Sequence, residues 1–111
     1  HDNLTWSRSR IIAHGGGDYN SHHASNSREA VRAALTSVGM VEVDLVKGKD
    51  AILLAHDGFE ERYGFDRNFQ EISTKEFAMA KYNGHLTTLS LSQFFEIVNF
   101  SIKNNYVSCF F

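Results

Sequence analysis

An α/β fold on a largely parallel sheet is predicted by three observations. Short apolar runs suited to buried strands alternate with helix-period segments along the chain. Three of the helix-period segments open on the spacing of a capping box, at Asn26/Glu29, Ser73/Glu76 and Ser90/Gln93. Proline is absent and glycine is concentrated at Gly15 to Gly17, so no linker divides the 111 residues and one domain is expected.

Arg10 to His14 is short, largely apolar and ended by glycines, as a first buried strand running into a loop would be. After Asn26, the residues Ala30, Val31, Ala33, Ala34, Leu35 and Val38 give a helix-period apolar face closed by Gly39. Met40 to Val46 reads as one strand, with Val41, Val43 and Leu45 on one face and Met40, Glu42, Asp44 and Val46 on the other. Lys47 to Asp50 turns the chain into a third strand, Ala51 to Ala55, which delivers His56 and Asp57 at its end. Its direction is open, although so short a link favours an antiparallel hairpin. Asp57 to Gln70 is an aromatic-spotted loop, Ser73 caps a short helix to about Lys81, and Tyr82 to Leu89 connects onward. Ser90 then caps a longer helix with Phe94, Phe95, Ile97, Val98 and Ile102 as its core face, and Tyr106 to Phe111 is β-prone.

Composition narrows the function. With 42% hydrophobic and 22% charged residues the chain is of the globular class. The formal charge is −2 with Lys and Arg scattered, so nucleic acid is not expected as a partner. No apolar run approaches the roughly 20 residues of a membrane span, and His1 to Arg10 lacks the apolar core of a signal peptide. The single cysteine, Cys109, makes no internal disulfide and leaves the compartment open.

The chemistry is carried by four residues. Glu42 and Asp44 are two apart on a strand, so both carboxylates project from one face, roughly 7 Å apart at the strand rise. Two like charges on a buried strand need a proton or a cation, and such oxygen donors suit Mg²⁺ or Ca²⁺; a polar face turned to water is the bland alternative. His14 and His56 each end an apolar run, the edge where parallel α/β folds build active sites. One imidazole there can take a proton while the other gives one.

Ile11-Ile12-Ala13-His14-Gly15-Gly16, Asn26-Ser27-Arg28-Glu29-Ala30, Val41-Glu42-Val43-Asp44-Leu45 and Leu54-Ala55-His56-Asp57, in that order, resemble the N-terminal signature of the glycerophosphodiester phosphodiesterases. The resemblance covers nearly the whole chain. It implies the N-terminal portion of a TIM (β/α)8 barrel, Glu42 and Asp44 as ligands of a divalent cation, His14 and His56 as the acid/base pair, and a small-molecule phosphodiester as substrate. Asp57 would either orient His56 or fix its loop. Gly15 stands where the common motif has arginine, and Ser25-Asn26-Ser27 where it has Glu-Asn-Thr, as in a variant branch with a glycine-rich first loop. A complete barrel takes about 250 residues, so residues 1–111 are expected to be one partial domain truncated at the C-terminus, with a further acidic ligand and a lysine beyond Phe111.

Two other classes compete with a glycerophosphodiesterase. One is a catalytically inactive half-barrel serving as a binding module. The other is a relative acting on phospholipid or sphingolipid diesters, for which Phe59, Tyr63, Phe65 and Phe69 would supply either an apolar rim or ordinary loop packing. Oligomeric state is not readable from the sequence.

Overall fold

A computed structural model describes residues 13–14, 25–37 and 41–103. In chain order the elements are β1 (Ala13–His14), α1 (Arg28–Ser37), β2 (Val41–Glu42), β3 (Leu45–Lys47), β4 (Ile52–Leu54), α2 (Thr74–Met79), β5 (Lys81–Tyr82), β6 (Leu86–Thr87) and α3 (Leu91–Lys103), with single 3₁₀ turns at Glu60–Tyr63 and Phe69–Glu71. The glycines after His14, Gly39 and the β-prone Tyr106 to Phe111 lie outside the described residues.

Among the described residues the strands form three pairs, β1–β2, β3–β4 and β5–β6. Only the first is parallel, with Ala13 opposite Val41 and His14 opposite Glu42. The expectation of a largely parallel sheet therefore holds for that pair alone. The link of four residues after Lys47 closes a hairpin, as its brevity suggested, with Leu45, Val46 and Lys47 opposite Leu54, Leu53 and Ile52. Gly48 makes the turn possible, donating its N–H to the Ala51 carbonyl at 2.8 Å.

The acidic strand is not continuous. Val43 and Asp44 break it, so β2 pairs with β1 and β3 with β4. The expected two-face alternation holds across the break for the valines and fails at Leu45. Val41 and Val43 lean on the helix side of the core, Val46 packs against the aromatic side, and Leu45, expected inward, is 50% exposed.

Two apolar clusters make the core, and β4 divides them. Leu53 and Ala55 join Tyr63, Phe69, Ile72, Phe77, Tyr82 and Leu86 on one side. Leu54 points the other way, to Val31 and Leu35 of α1, Leu89, and Phe94, Ile97 and Val98 of α3. Leu53, Leu54 and Ala55 thus alternate between two buried faces, as in a strand covered on both sides, whereas Ala51 and Ile52 at the start of the apolar run are exposed. β4 also bonds on its second edge, where Leu54 donates to the Leu89 carbonyl at 3.0 Å.

Local signals set most helix ends. Ser73 and Glu76 form a complete capping box ahead of α2, and Ser90 and Gln93 exchange the same two bonds ahead of α3. The predicted box at Asn26/Glu29 does not form. Instead Ser27 Oγ accepts the Ala30 N–H at 3.2 Å, and Glu29 reaches Thr87. α2 ends at Met79, because Lys81–Tyr82 and Leu86–Thr87 form a hairpin in the segment expected only to connect. Its turn uses Asn83 and Gly84, both at positive φ. Phe95, placed in the core by periodicity, is 42% exposed, whereas Phe94, Ile97 and Val98 are buried.

Candidate active site

Backbone pairing on either side of the break at Val43 and Asp44 relates the predicted residues to one another. On its N-terminal side the backbone of Glu42 is in register with His14. On its C-terminal side the β3–β4 ladder extends by one rung, the Ala55 N–H reaching the Asp44 carbonyl at 3.2 Å, and His56 follows directly. Glu42 is exposed and Asp44 half-buried. The side chain of His14 lies outside the described residues.

Asp44 is held from an unexpected quarter. Asn26, fully buried and at φ 51°, accepts the Asp44 backbone N–H on Oδ1 at 2.9 Å and donates from Nδ2 to Asp44 Oδ2 at 3.2 Å. The spacing to Glu29 predicts a helix cap at Asn26. The signal that it is something else is its neighbour, since Ser27 is itself a good cap and the helix does not need the asparagine as well.

His56 is fixed by the chain that follows it. Its Nδ1 lies 2.8 Å from the carbonyl of Asp57, and since a carbonyl only accepts, Nδ1 carries the hydrogen and Nε2 is the nitrogen left for proton transfer. Its ring stacks on Phe59 with centroids 4.3 Å apart, and the Arg62 guanidinium carbon sits 3.9 Å from the centre of the Phe59 ring. Arg62 in turn donates to the Tyr82 hydroxyl at 2.9 Å. Asp57 thus orients His56 through its backbone.

Of the loop aromatics two are core, and Phe59 and Phe65 pack half-buried against them. Tyr63 and Phe69 are buried, and Tyr63 meets Phe65, Phe69, Phe77 and Tyr82 at centroid distances of 5.1 to 6.4 Å. Burial pushes the Tyr63 phenol well above its ordinary value, and the charge of Asp44 pushes it the same way. Its hydroxyl lies 3.4 Å from the Ser25 carbonyl, so the aromatic cluster reaches the segment that carries Asn26.

No family model matches the chain, and no curated protein matches it. Solved structures do. A protein described as a glycerophosphoryl diester phosphodiesterase from Agrobacterium tumefaciens superimposes with a TM-score of 0.63 at 20% identity, over 77% of this chain and 36% of its own. One described as a glycerophosphodiester phosphodiesterase from Galdieria sulphuraria gives 0.61 at 22% identity, over 81% of this chain and 38% of its own. The fold is that of the glycerophosphodiester phosphodiesterases. It is shared over less than two fifths of the length of either structure.

The chemistry of the donors can be tested against the cation expected from glycerophosphodiester phosphodiesterases. Glu42 and Asp44 are both carboxylates, the hard oxygen donors that Mg²⁺ and Ca²⁺ prefer. Two carboxylates alone do not complete a coordination sphere, and among the described residues no group of three or more His, Cys, Asp and Glu side chains is placed to hold a metal. No described helix is long and apolar enough to cross a membrane.

Proposed function

We propose that the chain belongs to a metal-dependent phosphodiester hydrolase that acts on glycerophosphodiesters or related phospholipid head-group diesters, within a (β/α)8 barrel of which the described elements form part. One observation carries the reading. A single break in one strand joins Glu42, in register with His14, to Asp44, Ala55 and His56, in a chain with the fold of glycerophosphodiester phosphodiesterases.

Glu42 and Asp44 would hold the cation, Mg²⁺ or Ca²⁺. Bound there, it supplies charge neutralisation at the phosphoryl oxygens. His56 presents Nε2, with its other nitrogen occupied by the Asp57 carbonyl and one ring face covered by Phe59. One of the two histidines takes the proton of the attacking water or hydroxyl and the other gives one to the departing alcohol as its bond to phosphorus breaks. Asp44 is kept in place by Asn26, while Glu42 is the exposed last residue of β2.

The test is hydrolysis of a glycerophosphodiester by the full chain with Mg²⁺ or Ca²⁺, beside the Glu42→Ala/Asp44→Ala double variant. Turnover that needs the metal and disappears in the variant is the expected result. A folded chain with no turnover would favour the non-catalytic module, and turnover that survives the double substitution would remove the two carboxylates from the site.

A further inference from the structure

We infer that Asn26 is a positioning residue that aims the Asp44 carboxylate at a divalent cation, an inference that rests on the metal reading of Glu42 and Asp44. Three features of Asn26 carry it. The side chain is completely buried, which is costly for an amide unless its polar atoms are bonded. The backbone is left-handed at φ 51°, a conformation that asparagine tolerates better than other residues with a β-carbon. And the amide meets Asp44 at two points, through the backbone N–H at 2.9 Å and through Oδ2 at 3.2 Å.

Helix capping does not account for this arrangement. Ser27 caps α1 through its own Oγ, with Ser25 Oγ 2.9 Å from that hydroxyl, so the helix terminus is served by the serine that follows Asn26. Asn26 crosses to a residue 18 positions away that stands at the strand break, where no ladder of its own fixes it on both sides. A carboxylate in such a link would otherwise swing with the backbone. Two bonds from a single rigid amide fix both the peptide and the orientation of the carboxyl plane, as a partner behind a metal ligand must.

Mn²⁺ serves as the probe, its affinity measured by titration calorimetry on the full chain. Asn26→Gly keeps the left-handed backbone at no steric cost and removes the amide; Asn83→Gly, at the other asparagine with positive φ, controls for an asparagine-to-glycine change as such. The expected result is that Asn26→Gly weakens Mn²⁺ binding by about 10- to 100-fold, the range typical of residues behind a ligand, with Asn83→Gly unchanged. A folded Asn26→Gly protein that binds Mn²⁺ as tightly as the wild type overturns the inference. Should that variant fail to fold, the wild type decides: substoichiometric Mn²⁺ must broaden the side-chain amide resonances of Asn26, and sharp resonances overturn it. A wild-type chain that binds no Mn²⁺ instead overturns the metal reading itself, and this inference with it.

Discussion

Glu29 and Thr87, 58 residues apart, are joined by two hydrogen bonds of 2.8 Å, one from the Thr87 backbone N–H to Oε1 and one from its hydroxyl to Oε2. The pair ties the first turn of α1 to β6, and so ties the segment carrying Asn26 to the second half of the described fold. Burial alone would raise the Glu29 carboxyl, but the two bonds from Thr87, with Lys81 nearby, hold it below its ordinary value.

Removing that carboxylate should loosen the fold. Glu29→Ala is expected to lower unfolding stability by about 1.5–3 kcal/mol, the usual worth of hydrogen bonds to a charged group. Because the native carboxyl is more acidic than the unfolded one, its contribution is present in full above the unfolded value near 4.5 and fades as pH falls through the native value. Urea denaturation of wild type and Glu29→Ala at neutral pH and at pH 3 measures both effects, and a gap that widens on acidification would contradict the assignment.

A second carboxylate behaves alike at the surface. The Ser73 N–H of the capping box and the Arg67 guanidinium, 2.7 Å away, hold the Glu76 carboxyl down to about 2. Its folded value lies below the unfolded one, so stability is lost between about pH 4.5 and pH 2 and not above. An NMR titration of the Glu76 side chain should show the low midpoint in the wild type and a rise toward the ordinary value in Arg67→Ala. A midpoint that ignores Arg67 would leave the capping box as the sole cause.

The β3–β4 turn leaves no room at Gly48. A Cβ there would lie 2.8 Å from the Ala51 carbonyl oxygen and 2.9 Å from Leu53 Cδ1, closer than real contacts allow. Gly48→Ala must therefore open the turn or shift Leu53 in the core, at a cost of about 1–3 kcal/mol. Since the same ladder sets Asp44 against Ala55, weaker Mn²⁺ binding should accompany the loss of stability. Thermal unfolding and the Mn²⁺ titration together check this, and an unchanged melting temperature would show that the turn relaxes freely.

How far the sequence could be read follows from the range of each interaction. Ser73/Glu76 and Ser90/Gln93 were legible because a capping box closes within four residues. Asn26 and Glu29 have the same spacing, yet both are drawn off by distant partners, Asp44 and Thr87, that no local pattern announces. Glu42, Asp44 and His56 could be picked out by residue type and by their place at the ends of apolar runs. The strand break between Glu42 and Leu45 is hidden in the sequence, because Val43 and Asp44 continue the alternation of their neighbours; with it goes the exposure of Leu45, while Val46 keeps the face that alternation assigns it. Asn83-Gly84 is the exception. An Asn-Gly pair is a local hairpin signal, and it turns the chain in the segment expected only to connect.

Asp57 offers the sharpest separation between a backbone role and a side-chain role at the proposed catalytic centre. The atom of Asp57 that meets His56 is the carbonyl oxygen at 2.8 Å, and the residue also borders a cavity of about 460 Å³ beside Leu45, Lys47, Glu60 and Asn68. Asp57→Ala keeps the carbonyl, so turnover of a glycerophosphodiester should stay close to wild type. His56→Ala removes the proton-transfer group and should cost about 10²- to 10⁴-fold. Phe59→Ala takes away the ring on which His56 stacks and should fall between the two, with the loss in kcat and little change in KM, because Phe59 orients the imidazole and is not proposed to touch substrate. Were Asp57→Ala to lose as much as His56→Ala, the carboxylate and not the carbonyl would be the group that orients the histidine, and Nδ1 would have to turn away from the contact it makes in the structure.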